Sequence, residues 1–187
     1  SENVRSLVGK IPRAKVGDYV LTLGSTSGAP EINIAIEVKK EQNYKLKDAV
    51  DELKLAKENR EAAAGIFIFA KGYEPAEVGD FHKIGNDFYV TVDEELLASN
   101  QPLLFFETAY KIIRILLVTS KRVQEAKEVD LDKIKRELEN ILQNTSRISE
   151  IITKARTIKT NSDFILTLAD TLKIEIEDKI NEIVTSI

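Results

Sequence analysis

Cysteine, methionine and tryptophan are absent from the sequence, and histidine occurs once, at His82. Without cysteine the chain can form no disulfide bond, no thiolate zinc site and no cysteine nucleophile. A single histidine likewise excludes a metal centre built from several histidines. The lack of cysteine fits a reducing compartment, and we therefore expect a cytoplasmic protein.

Long apolar runs and an excess of positive charge are also missing. The most apolar stretch, residues 112–118, is interrupted by Arg114 and is far shorter than the roughly 20 residues that cross a bilayer. The chain carries 27 Lys and Arg against 31 Asp and Glu, a formal net charge of -4. We therefore expect no membrane partner, and any contact with nucleic acid has to be local.

Glycine is missing after Gly85, and this shift in composition divides the chain near residue 100. Before that point, apolar residues recur alternately with period two and with period 3.6, whereas after it only the helical period is found. We predict an α/β domain with a mixed central sheet over residues 1–99, and an all-helical domain over residues 100–187 that opens with a helix start at Pro102.

A β-hairpin is predicted around the turn-rich loop at residues 24–31, because apolar and polar residues alternate on both sides of it. An amphipathic helix over 44–60 and an apolar strand over 65–70 follow, and this order makes that strand parallel to the one ending at Lys39. Setting Leu23 opposite Ile32 places seven apolar side chains on a common core face: Tyr19, Leu21, Leu23, Ile32, Ile34, Ile36 and Val38.

The same register places Asp18 directly opposite Glu37, with Lys39 two residues further along the same face. Two carboxylates in directly opposed positions destabilise a sheet unless a positive charge lies between them, and a divalent cation is the natural candidate. A Mg²⁺ or Mn²⁺ ion held by such oxygen ligands can polarise a phosphate and acidify a bound water, while an ammonium group neutralises developing charge. The alternative is an exposed cross-strand cluster of charges without catalytic function.

The arrangement of Asp18, the run 36–39, a helix and an apolar strand resembles the PD-(D/E)XK nuclease superfamily, with Gly17 in place of the proline. The resemblance covers roughly residues 16–92 and implies a restriction-endonuclease-like core. It assigns Asp18 and Glu37 as metal ligands and Lys39 as the catalytic lysine, with the Val38 carbonyl as a further ligand.

The resemblance also implies accessory residues and partners. Glu2 is the one acid before Asp18 that could supply an additional carboxylate, and Gln42 matches a helix-borne glutamine of some relatives or is simply a polar residue at a helix start. Lys40 and Lys45 are candidates for phosphate contacts, or else belong to a solvated face. The implied activity is Mg-dependent hydrolysis of DNA in repair, recombination or restriction. The alternative is a catalytically inactive nuclease fold that binds nucleic acid or supports assembly.

Two apolar stripes at helical spacing mark the C-terminal third of the chain. We predict a helical hairpin with a break at residues 159–162. Its apolar stripes pack on each other, on the first domain or across a dimer, and we expect a homo-oligomer through these C-terminal helices. The first stripe consists of Leu131, Ile134, Leu138, Ile141, Thr145, Ile148, Ile152 and Ala155, and the second of Ile165, Leu168, Leu172, Ile176, Ile180, Ile183 and Ile187.

Overall fold

The structure is a computed structural model that describes residues 2–4, 9–11, 16–95, 103–126 and 128–185. Within these ranges the strands form one sheet in the order β1-β2-β3-β4-β6-β5. The strands are β1 (Glu2–Asn3), β2 (Tyr19–Thr22), β3 (Asn33–Lys39), β4 (Ala62–Ala70), β5 (Phe81–Ile84) and β6 (Asp87–Val92). The helices are α1 (Leu46–Arg60), α2 (Leu104–Gln124) and α3 (Leu131–Thr185).

The chain divides into two compact units, Ser1–Thr145 and Ser146–Ile187. The first unit contains the sheet with α1 and α2, and the second is helical. The predicted boundary between residues 99 and 100 and the predicted helix start at Pro102 both lie outside the described residues. The boundary therefore stays a prediction.

The mixed sheet is confirmed, as is the predicted register of its hairpin. β2 and β3 pair antiparallel, with Tyr19 opposite Ile36 and Leu21 opposite Ile34. β3 is parallel to β4, and β4 is parallel to β6, as the strand-helix-strand order predicts. This register is the one that sets Asp18 across from Glu37.

Helix α1 covers one face of the sheet. Its small and branched residues Ala49, Leu53 and Ala56 are fully buried, because they recur at the spacing that keeps them on one side of the helix. The approach is close at Gly65 of β4, where an added Cβ would lie 2.7 Å from Leu53 Cδ1. Because α1 covers this face, Glu37 on β3 is buried, and Asn33 and Lys39 on the same side of the strand are partly buried.

Helix α2 covers the opposite face and packs mainly on β4 and β6. It has five buried residues: Phe105, Ala109, Ile112, Ile113 and Leu117. Two residues predicted for the core face, Tyr19 and Val38, are 37% and 39% exposed. That part of the prediction is wrong, because both lie toward β2 and the end of β3, away from the strands on which α2 packs.

Two strands escaped the sequence prediction. β1 consists of two residues, and β5 pairs with β6 across a turn, with His82 opposite Tyr89. His82 therefore lies in a strand, and its ring is 6.5 Å from that of Tyr89. Neither segment is long enough for its apolar periodicity to show in sequence.

The predicted helical hairpin is wrong, since α3 is continuous from Leu131 to Thr185. The supposed break at residues 159–162 is polar but contains neither glycine nor proline, so the helical backbone passes through it. Thr160 even donates its hydroxyl to the Arg156 carbonyl, at 3.1 Å, within the helix. Over the described ranges, no helix has the length and apolar character needed to span a membrane.

Candidate functional site

The last turn of α1 holds the backbone that leads into β2. Asn59 Nδ2 donates to the Val16 carbonyl at 2.9 Å, and Arg60 Nη2 donates to the Gly17 carbonyl at 3.2 Å. Both side chains are buried, so these bonds are shielded from competition with water. The backbone of Asp18, the next residue, is therefore held in place where it enters β2.

Asp18 and Glu37 lie opposite each other where β2 and β3 pair. Each carboxylate accepts a hydrogen bond from a backbone N–H next to the other acid. The Gly17 N–H donates to Glu37 Oε1 at 2.5 Å, and the Val38 N–H donates to Asp18 Oδ2 at 3.0 Å. The Asp18 N–H extends the ladder to the Ile36 carbonyl at 3.0 Å.

Burial makes this carboxylate pair unusual. Asp18 is 8% exposed and Glu37 is 4% exposed, because α1 covers this face of the sheet. Burial and then the Asp18 charge raise the pKa of Glu37 to about 7, against the opposing effect of the Gly17 hydrogen bond. The ionised form of Glu37 is therefore disfavoured near neutral pH unless a cation joins it.

Lys39 lies on the same face but is held by a different acid. Its ammonium is 3.0 Å from the Glu52 carboxylate on α1, and it sits over the Tyr44 ring, 4.6 Å from the centroid. The Tyr44 hydroxyl donates to the same Glu52 carboxylate. The Lys39 charge reaches Glu37 as well, because it lowers the pKa of that group, though less than burial raises it. Lys39 is therefore fixed beside the carboxylate pair rather than between its members.

The donor set fits a hard divalent cation with an open coordination sphere. Two carboxylates and the Val38 carbonyl offer oxygen ligands only, and Mg²⁺ commonly binds through one or two carboxylates while keeping waters or phosphate oxygens. Among the described residues, no group of three or more acidic or histidine side chains is placed to enclose a metal ion. Water or a substrate phosphate would therefore have to complete the shell.

The structure describes the side chains of three of the four predicted accessory residues. The Glu2 backbone pairs with Val20 in β1, and its side chain lies outside the described residues. Gln42 is exposed in the turn before α1, not on the helix as its match to the family implied. Lys40 forms an ion pair with Glu94 at 2.8 Å, and Lys45 is exposed at the start of α1. Phosphate contacts by the two lysines stay a prediction.

Sequence reasoning missed Glu52 and Tyr44. The available signal was helical spacing, because Glu52 follows the core residue Ala49 by three positions and therefore borders the buried stripe of α1. It also missed why residue 17 is glycine. Gly17 has φ of +95° and provides an N–H to Glu37, whereas a proline has no N–H and a fixed negative φ.

Gly17 stands where the motif that the sequence resembles has a proline, and its N–H donates to Glu37. Glycine at position 17 thus serves the same carboxylate that the family resemblance assigns to metal binding. No family model, curated protein or solved structure significantly matches this chain.

Proposed function

We propose that the protein is a Mg²⁺-dependent nuclease that hydrolyses phosphodiester bonds of DNA. The observation that carries the proposal is the opposition of two buried carboxylates, Asp18 and Glu37, with Lys39 on the same face. Burying two like charges side by side is costly unless a cation or a proton neutralises them. The resemblance to PD-(D/E)XK nucleases supports DNA as the substrate.

Each residue has a distinct role in this proposal. Asp18, Glu37 and the Val38 carbonyl would hold the ion, which supplies Lewis-acid polarisation of the phosphate and acidifies a bound water. Lys39 stabilises negative charge as the water oxygen bonds to phosphorus and the bond to the leaving oxygen breaks. Glu52 and Tyr44 position the Lys39 ammonium, since both contact it or its partner.

Cleavage of supercoiled plasmid and of branched DNA, with Mg²⁺ or Mn²⁺, tests the proposal. Glu37→Ala and Lys39→Ala should each lower the rate at least about 100-fold. Lys54→Ala and Glu58→Ala, on the exposed side of α1, are matched controls that should cleave at the wild-type rate. Metal-dependent cleavage that persists in both site variants would show that the activity belongs to a contaminant.

A specific observation favours a second function, a nuclease-like scaffold without catalysis. A backbone N–H donates to each carboxylate, and Glu52 forms an ion pair with Lys39. When Glu37 is protonated, these contacts hold the cluster without a metal ion. In that case binding of DNA or assembly through the C-terminal helix is the function. Absence of cleavage together with absence of Mn²⁺ binding by calorimetry would favour this candidate.

A further inference from the structure

The second unit, Ser146–Ile187, exposes a long apolar stripe. Within its described part, 146–185, four large residues seven positions apart are each at least half exposed: Ile151 66%, Ile158 66%, Ile165 62% and Leu172 50%. Exposed apolar side chains in such continuity mark an interaction surface. A helix with this surface gains most of its stability from packing rather than from helix propensity.

Because α3 runs unbroken through residues 159–162, the stripe forms one regular seam. From Ile148 to Ile176 the seam residues alternate strictly in steps of three and four, as in a heptad repeat. One core position of the heptad holds Ile148, Ala155, Ser162, Ala169 and Ile176, and its three middle members are small. The other core position holds the large residues Ile151, Ile158, Ile165 and Leu172. Small and large residues thus alternate along the centre of the seam.

This alternation decides which way a second helix must run. In a parallel pair each core residue meets its own copy, so Ala155 would face Ala155 and Ile158 would face Ile158, which alternates voids with crowded layers. In an antiparallel pair the two core positions meet each other. Ala155 then faces the second copy's Leu172, and Ser162 faces the second copy's Ile165, so that every central layer has similar volume.

Charge points to the same direction by a separate route. Residues 146–163 carry four basic and two acidic side chains, whereas residues 164–185 carry two basic and five acidic ones. An antiparallel pair in the register set by the small and large layers brings Lys154 beside the second copy's Glu175, and Arg147 beside the second copy's Glu182. A parallel pair would instead place Lys154 beside the second copy's Lys159.

We infer that residues 151–176 dock onto the same segment of a second copy in an antiparallel, two-fold symmetric coiled coil. The inference gives a direction and a register to the predicted homo-oligomer. It does not depend on the proposed nuclease activity, because it is tested by molecular mass and by disulfide cross-linking rather than by cleavage of DNA.

Sedimentation equilibrium of the full chain should give a dimer, and Lys154→Glu should raise its dissociation constant about 10-fold, because two symmetric attractive pairs become repulsive. Arg156→Glu, with the same change of charge on the outward side of the helix, should leave the constant within about twofold. A monomer at all concentrations would overturn the inference. Tighter association of Lys154→Glu would also overturn it, since that result requires the parallel pair.

Disulfide cross-linking determines the relative direction of the two helices without changing any charge. Because the chain has no native cysteine, only the introduced thiols can react. Ala155→Cys and Leu172→Cys, mixed in full-length chains of different tag size, should form a mixed disulfide under mild oxidation. Ala155→Cys alone should not dimerise covalently, because the two thiols would be about 26 Å apart along an antiparallel pair. Efficient self-cross-linking of Ala155→Cys would contradict the antiparallel model. Circular dichroism confirms that each variant keeps its helix.

Discussion

The two units of this chain depart from the usual partition of polar and apolar side chains in opposite directions. The first buries two carboxylates, Asp18 and Glu37, behind α1, whereas the second exposes Ile151, Ile158 and other large apolar residues along α3. Burial of two like charges side by side and exposure of contiguous apolar surface both raise the free energy of an isolated chain. We propose a cation or a proton as the component that relieves the first cost, and a second helix as the one that relieves the other.

The difference also separates how the two units are stabilised. In the first, backbone N–H groups and the α1 side chains Asn59 and Arg60 fix the polar residues before any ligand binds. In the second, none of the described residues, 146–185, is buried. The site of the first unit is thus preorganised, while we infer that the second unit gains its packing through association.

The largest change should come from Gly17→Pro, which tests whether the buried pair is held by its backbone. Proline cannot adopt φ of +95° and removes the N–H that reaches Glu37. A Cβ at this position would also lie 2.9 Å from Arg60 Cγ. We expect a loss of about 4 kcal/mol in the free energy of unfolding, measured with urea.

Gly24→Ala is the matched control for that change. Gly24 has no atom within 4 Å of an added Cβ, so its substitution should change stability by less than about 0.5 kcal/mol. Equal effects at both glycines would show that residue 17 has no special part in supporting Glu37.

A proline in the middle of α3 tests the other side of the comparison. Asn161→Pro should lower helical stability by about 3 kcal/mol and abolish the dimer, since residue 161 lies inside a continuous helix. Asn161→Ala should leave both unchanged or slightly improved. Circular dichroism at increasing urea and sedimentation measure the two effects. If the proline variant keeps its helix content and mass, a turn rather than a helix occupies this position.

Glu37→Gln sharpens the account of the buried charge through its dependence on pH. The pKa of Glu37 is raised to about 7, above its unfolded value near 4.5, so its contribution to stability is fully present below pH 4.5 and is lost as pH rises through 7. Glutamine stays neutral and can still accept the Gly17 N–H. Without metal, the variant should therefore exceed the wild type by about 2 kcal/mol at pH 8 and match it near pH 4.

Urea unfolding in EDTA at pH 4, 6 and 8 measures this difference. Added Mg²⁺ should stabilise the wild type at pH 8 more than at pH 6, because the ion competes with the proton on Glu37, and it should not stabilise the variant. A stability difference that is the same at all three pH values would refute the link between burial and charge.

Much of the first unit was open to prediction because its strands carry a clear alternation. The register that opposes Leu23 to Ile32 followed from keeping apolar residues on one face, and the position of Asp18 followed from that register. What could not be predicted was the cover on the second face. Only the structure shows that α1 buries Glu37 and that α2, packed on β4 and β6, leaves Tyr19 exposed.

The second unit was misjudged for the opposite reason. A polar run at 159–162 was interpreted as a break, although helix termination requires a residue or a cap that competes with the helical backbone. Thr160 instead bonds to the carbonyl of Arg156 and stays in the helix. A short polar run without glycine or proline therefore does not predict a turn, and the heptad seam continues through it.

The smallest predicted effect concerns Lys39 and tests whether the first unit fixes its lysine as firmly as its acids. Tyr44→Phe removes the hydroxyl that donates to Glu52 but keeps the ring, whose centroid is 6.0 Å from that of Phe67 and 4.6 Å from Lys39 Nζ. We expect a loss of about 1 kcal/mol in urea unfolding. Tyr73→Phe is the control, because its ring also lies near a lysine, 5.9 Å from Lys40 Nζ, and should lose less than about 0.5 kcal/mol. An equal loss in both variants would mean that the Tyr44 hydroxyl does not help Glu52 to hold Lys39, and the lysine would then be positioned by charge alone.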